Sequence, residues 1–231
     1  MRNPGFLKPF EHRKAEEGLP QVFGEEIVTY AKAIRDHYLN LNYDHRPFLP
    51  PKAVREQYPW VWSEEFRKGQ ACFKYSVAYY LKVKNVLEIG VGAGISALAF
   101  YHGSPELFYY GIDLDTQESF YDLAVARELL CAKLPKFEII QADTRTLKEL
   151  PERKGFFDLV HIDGGHDLET AKHDMKLAWE SEASWILVDD ANDSAVAAGV
   201  FAAIHELPHG KTDYAYFEDT WSGNLLFRRT G

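Results

Sequence analysis

From Lys84 onward the chain alternates two kinds of segment. Short apolar runs that stop at Gly or Asp (NVLEIG, LFYYGIDLD, FEIIQAD, FDLVHIDGG and SWILVDD) are separated by stretches with helical spacing or helix-compatible composition. These stretches are ISALAFYHG, SFYDLAVARELLCAKL, TRTLKELPERK and LETAKHDMKLAWESE. Buried parallel strands read as near-continuous apolar runs, and their crossovers as amphipathic helices, so the pattern predicts an α/β fold with a mostly parallel, doubly wound sheet. The rhythm ends in DYAYFED, TWSGN and LLFRR, which predicts a hairpin with a Gly-Asn turn and an antiparallel C-terminal strand.

Before Lys84 the pattern is different. Pro47, Pro50, Pro51 and Pro59 are scattered among Tyr43, Phe48, Tyr58, Trp60 and Trp62, which predicts irregular chain. Helical spacing flanks it in EEIVTYAKAIRDHYLN and SEEFRKGQACFKYSVAYYLKV. Residues 1–62 are read as an N-terminal cap or lid and 63–231 as the sheet domain. The cap has two readings: a layer that covers hydrophobic surface, or a lid whose Tyr58, Trp60 and Trp62 wall a pocket.

Length and charge narrow the picture. A chain of 231 residues buries enough surface to need no disulfide or structural metal. Cys72 and Cys131 lie far apart without a finger-like partner and are expected to be reduced core residues. No apolar stretch approaches the roughly 18 residues of a membrane span, so a cytoplasmic protein without membrane contact is expected. The net charge is −9, and residues 81–231 hold 14 basic against 25 acidic side chains. That surplus would repel phosphate backbones, so no nucleic-acid partner is expected.

The densest chemistry is in NVLEIGVGAGIS. Gly90, Gly92 and Gly94 follow an apolar strand and precede a helix, an arrangement that lets a ligand approach the backbone and the helix amides. A dinucleotide fingerprint counted from Gly90 would need glycine where Ile95 stands, and no Gly-Lys-Ser/Thr follows for a nucleotide-triphosphate loop. Glu88, two residues before the first glycine, favours a ligand that carries positive charge. Asp113 ends the second strand, where a carboxylate can accept from ribose hydroxyls. Asp143 ends the third, where one can accept from an adenine amine.

Glu88-x-Gly90-x-Gly92-x-Gly94 followed by these two acids resembles the class I S-adenosylmethionine-dependent methyltransferases, over about residues 65–231. The resemblance implies a Rossmann-like sheet whose antiparallel last strand is the terminal hairpin. It implies that Gly90, Gly92 and Gly94 pack on the methionine part of S-adenosylmethionine (SAM), that Asp113 holds the ribose and Asp143 the adenine, and that Glu88 lies near the cofactor's ammonium group.

A second constellation follows in FDLVHIDGGHD and WILVDDAND. Asp163, Asp189 and Asp190 end two strands that would converge at one sheet edge, and crowded carboxylates repel unless a cation neutralises them. The plainer reading has Asp189 and Asp190 capping a helix or facing water and Asp163 closing a turn. These positions are also similar to the ligands of metal-dependent small-molecule O-methyltransferases of the macrolide-sugar and catechol types. That resemblance implies a divalent cation, Mg²⁺ foremost, on Asp163, Asp189 and Asp190. It also implies a base at His166, which otherwise is a turn residue, with Asp163 as the other candidate. His161 is expected to be a satisfied core histidine and His173 a surface one.

The expectation is a SAM-dependent methyltransferase, metal-assisted, acting on a small sugar, polyol or phenol. The alternatives are a metal-independent methyltransferase, a hydroxylase-like relative, a nicotinamide dehydrogenase and a non-catalytic SAM-binding protein.

Overall fold

The computed structural model describes residues 21–50, 55–56, 58–114, 123–207 and 212–229. Five parallel strands form the centre of the sheet: β2 (Asn85–Ile89), β3 (Phe108–Asp113), β4 (Phe137–Gln141), β5 (Leu159–Ile162) and β6 (Trp185–Val188). They coincide with the five apolar runs. The hairpin of β7 (Thr212–Phe217) and β8 (Asn224–Arg229) follows, with β8 antiparallel to β6. A three-residue strand that the sequence pattern does not reveal, β1 (Gln21–Phe23), pairs antiparallel with β7. The order is β1-β7-β8-β6-β5-β2-β3-β4. The strand order reverses between β2 and β5, and ligands bind outside the carboxyl ends of strands at such a switch point.

Side chains alternate across the sheet and divide the core in two. Val86, Tyr109, Leu159 and Leu187 face a layer built by α1 (Glu25–Asn40), α3 (Phe73–Leu81), α4 (Ile95–Gly103) and α5 (Leu123–Lys133). Leu87, Ile112, Val160 and Val188 face α6 (Leu168–Glu180) and α7 (Ser194–Glu206). The short α2 (Glu64–Phe66) runs through a π-helical segment, Arg67–Cys72, into α3.

The cap helix α1 shares its core with the sheet. Ile27, Ala31, Ile34 and Tyr38 are buried, Tyr38 packs edge-on against Phe73, and Arg35 and Tyr38 both hydrogen-bond Asp219 in the β7–β8 connection.

Three local expectations are corrected, and one helix has no counterpart in the sequence pattern. TRTLKELPERK makes only a three-residue 3-10 turn, Thr144–Thr146, because Asp143 caps it and the residues beyond lack an apolar stripe. The Gly-Asn pair does not form the hairpin tip: it closes a longer connection, with Gly223 at φ 75° and Asn224 already in β8. Helix α7 has no polar period to betray it; SAVAAGVFAAIHE is apolar or small nearly all round. Cys72 is buried, but Cys131 is exposed on α5.

Candidate active site

Ladder bonds carry three functional positions to one edge. Gly90 donates to the Ile112 carbonyl, Asp163 to Ile89 and Asp189 to Ile162, at 2.8–2.9 Å, so the ends of β2, β3, β5 and β6 lie side by side. The chain leaves β2 at Gly90 with φ 85°, and a Cβ there would lie 1.9 Å from the Asp163 carbonyl oxygen. Only glycine fits. The loop beyond it is fastened by Asp113, whose Oδ2 accepts from the Val91 and Gly92 amides at 2.8 and 3.0 Å.

At the end of β4, Asp143 caps the 3-10 turn through the Arg145 amide, and its carboxylate is held by the Arg145 guanidinium at 2.8 Å. That hydrogen bond keeps Asp143 below the usual carboxylate range. His173 is tied down, its Nε2 on the Thr144 carbonyl at 2.9 Å, so it pins the turn to α6.

Glu88 is fully buried and stands outside the cavity lining. The strand period places it on the face shared with Tyr109 and His161. It accepts from the Tyr109 hydroxyl and from His161 Nδ1, the latter at 2.7 Å. His161 is thus a core histidine on its Nδ1 side, while its Nε2 has no partner.

The two acids after β6 diverge because Asp190 adopts a left-handed backbone, φ 52°. Asp189 turns inward and is 2% exposed. Its Oδ2 accepts from Lys74 Nζ at 2.5 Å and Gln70 Nε2 at 2.9 Å; its Oδ1 accepts from the Ser222 hydroxyl and the Asp190 amide. Burial works against its charge, but the Lys74 ammonium outweighs it and holds the carboxyl well below the usual range. Lys74, 1% exposed, also donates to Ser96 Oγ at 3.1 Å and lies 3.7 Å from Asp163 Oδ2. Burial and the neighbouring Asp189 charge push Asp163 well above its ordinary value.

Asp190 turns outward. Its Oδ2 lies 3.0 Å from His166 Nε2, on a rim where the His166 side chain is 57% exposed. This hydrogen bond raises the His166 pKa above 6.5. The potential ligand atoms of Asp163, His166 and Asp190 lie within 4.8 Å of one another, as do those of Glu88, His161 and Asp163. Asp189 belongs to neither group.

These strand ends surround a cavity of about 660 Å³. Its lining includes the glycine loop, Asp113, Asp143 and Thr144 together with Lys74, Asp163, His166 and Asp190. Tyr58, Trp60, Phe66 and Trp221 also line it, so the N-terminal segment contributes Tyr58 and Trp60 to the cavity, whereas Trp62 does not line it.

Residues 87–191 match the family model described as a methyltransferase domain. Residues 87–191 are thus similar to a methyltransferase domain. Solved structures share its fold across nearly the whole chain. The SAH-bound methyltransferase PaMTH1 of Podospora anserina is 18% identical, with 90% of this chain and 97% of that one covered and a TM-score of 0.57. The O-methyltransferase TomG of Streptomyces achromogenes, involved in tomaymycin synthesis and solved with SAM, is 16% identical over 87% and 96%, TM-score 0.57. A Bacillus cereus O-methyltransferase in complex with SAH is 14% identical over 88% and 100%, TM-score 0.59. No curated protein sequence matches the chain.

The site holds residues that the sequence pattern did not single out: Lys74, Gln70, Ser96 and Ser222. Lys74 left one signal. It shares a helix face with the buried Val77 and Ala78, three and four residues on, and a lone charge on an apolar face calls for a buried partner.

Proposed function

We propose that this protein transfers the methyl group of SAM to a hydroxyl oxygen of a small acceptor, a sugar, polyol or phenol. One observation carries the reading: the loop fastened by Asp113 and the His166–Asp190 pair line one and the same cavity. A SAM-shaped ligand fits the residues present. Gly90 and Gly92 line the cavity without side chains, the carboxylates of Asp113 and Asp143 suit a ribose and an adenine amine, and the acid surplus of the lining suits a sulfonium.

When bound, SAM supplies a methyl group already activated on positively charged sulfur. The protein's work is then alignment and proton removal. With Nε2–H donated to Asp190, the imidazole of His166 presents Nδ1 as its acceptor. The acceptor hydroxyl gives its proton to that nitrogen, and its oxygen lone pair forms the new O–C bond. The bound donor would release its methyl group to that oxygen and would keep the bonding electron pair on sulfur. Asp190 keeps the ring oriented and stabilises the imidazolium, as a carboxylate does in a catalytic dyad.

The cation that the resemblance implies meets a different arrangement. All the named hydrogen bonds of Asp189 come from Lys74, Gln70, Ser222 and the Asp190 amide, and its burial leaves no open coordination position. The set Asp163, Asp189 and Asp190 does not fit a divalent ion, and no step is drawn through one.

The test is direct. SAM, its demethylated product and NAD are titrated calorimetrically, and the protein is then given methyl-labelled SAM with a metabolite extract. Binding of SAM and its product, and label on a hydroxylated small molecule, are expected. Binding of NAD alone would end the reading.

A further inference from the structure

We infer that the Lys74 ammonium is the resident cation of this acidic cluster, in the place the resemblance gives to a divalent metal. The inference rests on the reading above only in taking the cavity as the methyl-transfer site.

The argument is geometric. Lys74 comes from the helix before β2 and the glycine loop, and its Nζ reaches both Asp189, at 2.5 Å, and Asp163, at 3.7 Å. The side chains of Lys74 and Asp189 are each 1% exposed, so their charges answer each other with almost no water between. A hard cation such as Mg²⁺ needs oxygen ligands with free lone pairs and keeps several waters. Asp189 has hydrogen-bond donors on both oxygens. An ion on the remaining set, Asp163, His166 and Asp190, would share Asp163 with an ammonium 3.7 Å away and would break the 3.0 Å contact that orients His166. The Lys74 charge also solves the problem that made a metal attractive, since two acids at one strand edge are held together by one buried positive group. Lys74 is therefore a positioning residue. It fixes Asp163 and, through Asp189, the turn that presents Asp190 to His166.

The test uses the full chain and Mn²⁺ as the probe, with free Mn²⁺ read by its paramagnetic resonance signal and SAM affinity measured in parallel. The native protein is expected to leave Mn²⁺ free, and Lys74→Met to bind it at least about tenfold more tightly. Lys74→Arg, which keeps the charge, is expected to stay metal-free and serves if Lys74→Met does not fold. One Mn²⁺ per native chain, lost on Asp189→Asn, would overturn the inference; so would equal Mn²⁺ affinity in the native protein and Lys74→Met. Absent SAM binding would instead strike the methyl-transfer reading and leave the metal result legible.

Discussion

Lys74 and Asp189 form an ion pair across 115 residues of chain, Nζ to Oδ2 2.5 Å, with both side chains 1% exposed. Removing one charge from such a pair strands the other in a poorly solvated place, at a cost of about 3–5 kcal/mol. Lys74→Met and Asp189→Leu should each lower the unfolding midpoint strongly in urea. The double variant should recover much of the loss, because both charges leave together. Additive losses would show that the two groups do not depend on each other.

The His166–Asp190 pair predicts a pH profile. A base works in its neutral form, and Asp190 raises the pKa of His166 above 6.5, so methyl transfer should be lost as pH falls through that raised value. In Asp190→Asn the imidazole is less basic. Its acid limb should move to lower pH while the plateau rate drops by about ten- to a hundredfold. An acid limb that stays in place would assign the titration to another group.

Asp113 fastens the glycine loop and, on our reading, receives the ribose. Asparagine can still accept from the Val91 and Gly92 amides, but it offers a donor where the ribose needs an acceptor. Asp113→Asn should keep the fold and lose about 1.5–3 kcal/mol of SAM affinity, the range for a hydrogen bond to a charged group. Asp113→Ala should lose affinity and lower the melting temperature as well. Unchanged SAM affinity in Asp113→Asn, read by calorimetry, would remove the ribose assignment.

Asp174 on α6 is buried under the turn at Gly164, and neither carboxylate oxygen has a partner with hydrogen-bond geometry. Burial pushes its pKa up to about 6, against a smaller opposing pull from Thr144. The unfolded chain therefore gives up this proton first, near pH 4. Stability falls as pH rises from there to about 6, by roughly 2–3 kcal/mol above that window. Asp174→Asn removes the penalty, so it should raise the melting temperature at pH 8 relative to the native protein and do much less at pH 4. An equal effect at both pH values would show that the carboxyl does not titrate in this range.

Much of this was legible along the chain and some was not, for physical reasons. Strands β2, β3, β5 and β6 are buried on both faces, so each announces itself as an apolar run, the edge strand β4 keeps exposed Glu138 and Gln141, and the glycine loop is written in consecutive residues. The positions of Asp113, Asp143, Asp163 and Asp190 on the cavity follow from parallel strands ending together. What could not be read is which acid is answered from elsewhere. Asp189 and Asp190 are adjacent in sequence and identical in type, yet a left-handed backbone at Asp190 sends one to a buried lysine and the other to an exposed histidine. Glu88 stands next to the loop in sequence, but the strand period turns it into the core, onto Tyr109 and His161.

The π-helical segment Arg67–Cys72 gives the last consequence. It lets Gln70 and Lys74 converge on one oxygen of Asp189, and Gly69 lies so close to the β7–β8 connection that a Cβ there would sit 2.3 Å from the Trp221 nitrogen. Each residue of an α-helix turns about 100° around the axis. A chain shorter by one residue in this segment would swing everything before Lys74 by that angle and carry Gln70 away from the acid. The number of residues in that turn is thus as much a part of the site as their identity.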